Sequence, residues 1–306
     1  MPPLRKNGTL MDGPRARVSE IQRFSLEDGD GIRTTLFLQG CNLRCPWCHN
    51  PETLDARGAL LAYGHLCLGC GRCRQACPEG LAQGGAATDR KPCRLCGRCA
   101  EACPAGALKF SGRPMTADEA FDAVARDREF YRESGGGVTL SGGEPLLQAA
   151  FCAALARRCQ AEGIPVLVDT HGDVPFAAFE EVAPLVDGFL FDLKGAEPDY
   201  TALAGDGGRV YRNLARLPAL ARVMVRVPVI PGFNGTGAVM ERLAGTLAGS
   251  GVERVFLLPF HRLGSAKYQA LGLPYPYQDH EPVGRDRMAG FCDVFRRKGL
   301  DCVAKE

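Results

Sequence analysis

The sequence predicts an α/β protein: a partial (β/α)6 barrel of the TIM type, interrupted near its start by a small cysteine-rich domain. Three observations carry this prediction. Apolar strand-like runs alternate with helical patterns over most of the 306 residues, which argues a parallel sheet covered by helices. Nearly every run ends in a polar or glycine-rich tail, and in a barrel such tails gather on one face. Eleven of the fifteen cysteines fall between Cys41 and Cys103 at short, regular spacings. Six strand–helix units can be counted, which suits a barrel open at one side rather than the eight units of a complete one.

The bulk composition is that of an ordinary globular protein, 45% hydrophobic and 24% charged. A net charge of +2 provides no overall basic footprint for nucleic acid. No apolar stretch approaches the roughly 18 residues that a membrane helix needs. The basic N-terminal residues have no apolar run behind them, so a signal peptide is not expected. Disulfide scaffolds belong to small secreted chains; the cysteines are therefore read as metal ligands in a reducing cytoplasm.

Residues 1–17 form a flexible lead-in. A short strand over Val18–Phe24 precedes the turn-rich Asp28-Gly29-Asp30-Gly31. The first barrel strand, Thr34–Gln39, then delivers Cys41-x3-Cys45-x2-Cys48. Thiolates suit iron–sulfur clusters, and a fully ligated cubane takes four. Here the next cysteine is Cys67. Three ligands leave one iron with an open coordination site, where chemistry can take place. A zinc knot or three unrelated buried cysteines is the competing reading.

From residue 61 to 110 the texture changes. Cys67-x2-Cys70-x2-Cys73-x3-Cys77-Pro78 is repeated with identical spacing as Cys93-x2-Cys96-x2-Cys99-x3-Cys103-Pro104. This is the bacterial ferredoxin run, in which the fourth cysteine of each motif ligates the other motif's cluster. Cys67, Cys70, Cys73 and Cys103 are thus assigned to one [4Fe–4S] cluster, and Cys93, Cys96, Cys99 and Cys77 to a second. The segment carries seven Lys/Arg and three Asp/Glu. Two clusters of about −2 each would bring it near neutrality, so its basic residues need no nucleic-acid partner. The domain boundaries follow: 18–60 and 111–306 for the barrel, 61–110 for the ferredoxin-like insert.

Thr116 and Glu119 form a capping box that opens a helix running through Phe121, Val124 and Tyr131 to Gly135. Strand Val138–Leu140 ends in Ser141-Gly142-Gly143-Glu144-Pro145, and a helix over 146–161 follows. Strand Pro165–Val168 ends in Asp169-Thr170-His171-Gly172, with a helix near 175–182. Strand Gly188–Phe191 ends in Asp192-Leu193-Lys194, with helical turns near 198–203 and 210–220. Strand Val223–Val227, which contains Arg226, ends in Pro228-Val229-Ile230-Pro231-Gly232, and a helix over 238–247 follows. Strand Val252–Leu257 ends in Leu258-Pro259-Phe260-His261. A last helix over 284–298 and a closing strand over 302–304 complete the chain. Cys152, Cys159, Cys292 and Cys302 are read as small buried apolar residues.

The C-x3-C-x2-C loop, with Trp47 before its last cysteine, resembles the radical S-adenosylmethionine (SAM) superfamily. Asp28–Thr35, Trp47–Glu52, Phe191–Lys194, Arg226–Gly232 and Leu257–Gly264 resemble, more narrowly, the glycyl-radical-enzyme activating enzymes. The likeness runs from about Val18 to the C-terminus. It implies three [4Fe–4S] clusters and SAM as cofactors. Cys41, Cys45 and Cys48 would hold the catalytic cluster, with SAM on its unique iron.

Cofactor contacts would come from Trp47, His49, Asn50, Gly142, Gly143, Glu144, Asp169, Asp192, Leu193, Lys194, Arg226 and His261. Core packing competes for Trp47, helix capping for Asp169, and a purely structural role for His261. The implied activity is that of an oxidoreductase. SAM is cleaved reductively to a 5′-deoxyadenosyl radical, which takes a hydrogen from a glycine Cα of a partner enzyme. The resemblance also implies flavodoxin or ferredoxin as electron donor, an anaerobic cytoplasmic setting and a monomer.

Asp28, Gly29, Asp30 and Gly31 would meet the partner protein. The family usually has Pro where Asp30 stands, and a His near the place of Tyr200. A radical SAM enzyme acting on a small molecule or RNA is the first alternative. A non-enzymatic ferredoxin-type carrier is the second, and it leaves Cys41, Cys45 and Cys48 unexplained.

Overall fold

Alternation along the central strands settles which side chains meet. In the computed structural model, which describes residues 13–84 and 93–305, the chain opens with β1 (Arg15–Ser25) and β2 (Arg33–Leu38). The cysteine-rich region follows: β3 (Ala59–Ala62), α1 (Arg72–Ala76), α2 (Arg98–Glu101) and β4 (Leu108–Ser111). Next come β5 (Arg113–Thr116), α3 (Ala117–Val124) and α4 (Arg128–Ser134). Then β6 (Gly137–Gly142), α5 (Ala149–Ala161), β7 (Val166–Thr170), α6 (Phe176–Val182), β8 (Gly188–Asp192) and α7 (Gly207–Arg216) alternate. The chain ends with β9 (Val223–Val229), α8 (Gly237–Leu247), β10 (Arg254–Pro259), α9 (Ser265–Leu271), α10 (Arg285–Arg297) and β11 (Cys302–Ala304).

Nine strands form one sheet in the order β11-β10-β9-β8-β7-β6-β2-β1-β5. The six expected strands are β2 and β6 to β10, all parallel. Three more extend the sheet: β1 and β11 are the expected short opening and closing strands, β1 beginning at Arg15 inside the expected lead-in, and β5 is additional. β11 joins β10 in parallel, whereas β1 and β5 add an antiparallel border. The expected helix from Thr116 to Gly135 is two helices, because a 3-10 turn at Ala125–Asp127 interrupts it. Its capping box is present: Thr116 Oγ1 accepts from the Glu119 N–H at 3.1 Å, and Glu119 accepts from the Thr116 N–H at 2.8 Å.

One face of the parallel strands buries Leu36, Val138, Val166, Val168, Phe189, Phe191, Val225 and Leu257 in the main core with the helices. Successive strand residues face opposite sides. Leu167, Leu190 and Met224, with Phe256, therefore form a separate apolar cluster on the other face. One step further along these strands on that face stand Asp169, Asp192 and Arg226. An apolar layer thus lies below the charged one.

The β1–β2 loop contacts that second face. A Cβ on Gly29 would stand 2.5 Å from Leu167, and one on Gly31 would stand 2.4 Å from the Gly136 nitrogen. Asp28 accepts from the hydroxyls of Ser25 (2.6 Å) and Thr35 (2.7 Å). Asp30 pairs with Arg222 at 3.3 Å, and Glu27 with Lys305 at 3.5 Å.

β3 and β4 form a small antiparallel sheet of their own. Leu60, Ala62 and Leu108 pack with Cys73 and Cys99, whereas Leu61 packs with Ala270 and Leu271 of α9. The little sheet therefore lies between the cysteine runs and α9.

Candidate active site

The three-cysteine loop leaves β2 through Gly40, whose φ of 98° suits glycine. The loop is fastened at several points. The Gly40 N–H donates to the Thr53 carbonyl at 2.7 Å, and the Arg44 N–H to the Leu203 carbonyl at 2.8 Å. Asn42 donates to the Asp173 backbone and side chain at 2.9 and 3.0 Å. Burial pushes the thiols of Cys41, Cys45 and Cys48 up to about 12, 11 and 12. They would be neutral as free thiols, so a metal must stabilise the thiolates if they are ligands.

The glycines at the end of β6 have a close-approach role. A Cβ on Gly143 would stand 2.2 Å from the Gly40 carbonyl oxygen, and one on Gly142 would stand 2.2 Å from the Leu38 nitrogen. Only glycine lets this turn lie against the root of the cysteine loop. Glu144 is fully buried and engaged. It accepts from the N–H groups of Leu146 (3.0 Å) and His171 (3.0 Å) and from the Thr170 hydroxyl (2.9 Å). Burial pushes its carboxyl up to about 7 despite these donors.

Asp169, Asp192, Lys194 and Arg226 form one network. Arg226 reaches Asp169 at 2.5 Å and Asp192 at 2.7 Å, with Asp28 4.0 Å away. Lys194 reaches Asp192 at 2.7 Å. The Ser141 hydroxyl donates to Asp169 at 2.6 Å. Burial alone would raise Asp192, but Arg226 and Lys194 outweigh it and hold the carboxyl well below the usual range. Burial also dominates at Asp169, which stays up at about 6 although Arg226 lowers it. Two cations and two carboxylates make a largely buried charged cluster beside the cysteine loop.

The other expected contacts divide. His49 stacks on His261 with centroids 4.0 Å apart, and its Nε2–H donates to the His261 carbonyl at 3.0 Å. Asn50 Oδ1 accepts from Lys267 at 2.7 Å, and the same ammonium pairs with Glu52 at 2.6 Å. Trp47 is 4% exposed and packs against Phe233 (4.6 Å) and Tyr277 (5.7 Å). Leu193 is wholly buried in the main core. The Tyr200 hydroxyl accepts from the Lys194 N–H at 2.9 Å, fixing the strand end that presents that lysine. The sequence reading did not select His171, Ser141, Tyr200 or Lys267. His171 could have been found from its place two residues after Asp169 in a strand tail.

The cysteine-rich segment has internal pseudosymmetry. Gly71 and Gly97 stand before α1 and α2 with φ of 71° and 77°. Gly69 and its counterpart Leu95 are both left-handed, at 67° and 52°. The Gly69 N–H donates to Cys67 Sγ and the Leu95 N–H to Cys93 Sγ, each at 3.4 Å. Cys67, Cys70, Cys73 and Cys103 line one cavity of about 320 Å³, and Cys77, Cys93, Cys96 and Cys99 line another of about 390 Å³, both partly open to solvent. Burial would raise the Cys77 and Cys103 thiols, but clustered backbone N–H groups bring both below the ordinary value. Four sulfurs around one cavity, with N–H donors aimed at them, fit the donor set of a cubane. Among the described residues, no three His, Cys, Asp or Glu side chains close on a point as a single ion would require.

The chain is thus a mostly parallel α/β protein with thiols and charged groups gathered at its strand ends. Residues 27–173 match the family described as "4Fe-4S single cluster domain". The chain is 40% identical to the benzylsuccinate synthase activating enzyme of Thauera aromatica, over 92% of this chain and 90% of that one. It is 36% identical to the (2S)-3-sulfopropanediol dehydratase activating enzyme of Klebsiella oxytoca, over 96% and 98%. It is 34% identical to the pyruvate formate-lyase 2-activating enzyme of Escherichia coli, over 93% and 91%. Among solved structures, a radical SAM methyltransferase from Sphaerobacter thermophilus shares the fold, with a TM-score of 0.52 at 16% identity over 95% of this chain and 77% of that one. The chain belongs to the radical SAM activating enzymes of glycyl radical enzymes. It is an oxidoreductase that uses a [4Fe–4S] cluster and SAM.

Proposed function

We propose that Cys41, Cys45 and Cys48 hold the cluster that binds SAM, and that the eight cysteines of residues 61–110 hold two further [4Fe–4S] clusters. One observation carries this reading: the eight thiols divide four and four around two cavities. That leaves three thiols beside the buried Asp169–Arg226–Asp192–Lys194 network. When bound, reduced cluster and SAM supply the 5′-deoxyadenosyl radical that abstracts hydrogen from the partner's glycine Cα.

The chain's own groups position and desolvate. Lys194 and Arg226 offer cations to the SAM carboxylate, while Asp169 and Asp192 hold both side chains in place. Gly142 and Gly143 bring backbone close, and Glu144 stiffens that turn from behind. Trp47, His49, Asn50 and His261 form the wall toward the nucleoside, with Leu193 packed behind Lys194.

The sheet is read as a partial barrel made of 18–60 and 111–306, with 61–110 as a ferredoxin-like insert. Six strand steps separate β11 from β2, about 29 Å in a flat sheet at roughly 4.8 Å per step. Glu27, in the loop between β1 and β2, nonetheless reaches Lys305, just after β11, at 3.5 Å; a curled sheet accounts for this. Flavodoxin or ferredoxin would deliver electrons where Cys70 and Cys96 are exposed. The glycine-bearing loop of the partner would enter beside Asp28, Gly29, Asp30 and Gly31. We place the protein in the cytoplasm as a monomer; among the described residues no helix is long and apolar enough to cross a membrane.

Iron analysis and turnover test the proposal together. Anaerobically reconstituted protein should hold about twelve irons per chain and cleave SAM on dithionite reduction. About eight irons, or no cleavage, would sink the assignment of the three-cysteine loop.

A further inference from the structure

His171 is the polar side chain whose placement the cofactor contacts above leave unused. It is 5% exposed. Its Nδ1 accepts a hydrogen bond from the Asp173 N–H at 3.2 Å. A nitrogen that accepts a hydrogen bond carries no proton of its own. A neutral imidazole has one N–H and one bare nitrogen. Because Nδ1 is the acceptor, the proton sits on Nε2.

That N–H faces Cys41 Sγ, with Nε2 3.6 Å from the sulfur. Glu144 Oε2 flanks it at 3.3 Å. The ring is held from both sides, since its own backbone N–H donates to Glu144 at 3.0 Å. The sequence places His171 130 residues from Cys41, yet two strand ends bring them together.

We propose that His171 is a positioning residue for the reductive step: its Nε2–H donates to the Cys41 sulfur and biases the site cluster toward its reduced state. This rests on the reading of Cys41, Cys45 and Cys48 as cluster ligands. Hydrogen bonds to cluster sulfurs are among the levers that set reduction potential, and partners behind the ligands tune a metal site. The donor withdraws electron density from the thiolate and so favours the added electron. Glu144 and Asp173 act on the same bond by fixing the ring's orientation and its tautomer.

The test uses the reconstituted three-cluster protein and three forms of residue 171. His171→Phe keeps a ring without a donor, and His171→Asn keeps an N–H. Redox titration followed by EPR should show the site cluster of His171→Phe harder to reduce by about tenfold in equilibrium, which is 59 mV for one electron. His171→Asn should recover part of that shift. Pulsed EPR on protein labelled with 15N-histidine should show a histidine coupling to the reduced site cluster that His171→Phe removes. A role limited to packing would alter thermal stability but give neither the coupling nor the rescue. An unchanged potential in His171→Phe with full iron content, or no 15N coupling in the wild type, would overturn the inference. Absence of a third cluster from the wild type would overturn the proposed function with it.

Discussion

Arg226 is the residue on which the electrostatics of the charged cluster turn. It is 8% exposed and meets Asp169 and Asp192 directly. Removing one partner of a buried ion pair costs more than the pair contributes, because the remaining charges stay buried. Arg226→Met should therefore destabilise the protein by about 3–5 kcal/mol in denaturant unfolding, and SAM binding should be lost. Adding Asp192→Asn should return part of the stability without restoring SAM binding.

Glu144 makes a pH-dependent prediction at the same scale. Its carboxyl is raised from 4.5 to about 7 in the fold. The stability this contributes is present below about pH 4.5 and is lost as pH rises through about 7. Glu144→Gln cannot titrate. Its deficit against the wild type should be larger at pH 5.5 than at pH 8, with a slope of up to about 1.4 kcal/mol per pH unit. A deficit that does not change with pH would contradict the raised carboxyl.

At the scale of elements, close approach explains more than any single hydrogen bond. The turn after β6 can touch the start of the cysteine loop only because Gly143 has no Cβ. Gly143→Ala should fold with the turn displaced and with the site cluster lost before those of the insert, seen as a fall of about four irons per chain. Gly69→Ala meets no atom within 4 Å and carries only left-handed strain, about 1 kcal/mol.

α9 is a strut between the three-cysteine loop and the cysteine-rich segment. Lys267 holds Asn50 and Glu52, Gly264 lies against the Cys48–His49 backbone, and Ala270 and Leu271 pack on Leu61. Lys267→Met leaves Glu52, 5% exposed, without its cation. The expected cost is about 1–3 kcal/mol, between surface and fully buried pairs, with faster hydrogen exchange over residues 45–53.

What the sequence made legible was local. The three-cysteine loop and the duplicated run are spacing signals within a few residues of one another. The charged strand ends followed from the polar tails of continuous apolar runs. The pairing of β1 with β5 was not legible, because it joins Arg15–Val18 to Arg113–Thr116 across the whole cysteine-rich segment. α9 is seven residues long and bounded by glycines, too short for a helical period to show. His171 and Lys267 act on partners 130 and more than 200 residues away, a distance that no spacing rule spans.

Over the whole molecule, the parts divide by task. One layer of the sheet's second face is apolar and closes it from below, under the β1–β2 loop. The next layer carries the charges beside the three-cysteine loop. The cysteine-rich segment packs on α9 through Leu61, at the side where Cys48 stands. This arrangement serves to generate a radical on another protein. The most direct measurement is EPR of the dithionite-reduced protein with SAM and a candidate glycyl radical enzyme. A glycine-centred doublet should appear on the partner, formed with 5′-deoxyadenosine and absent with Cys45→Ala. Formation of 5′-deoxyadenosine with no radical on any glycyl radical enzyme offered, or an undiminished doublet with Cys45→Ala, would contradict it.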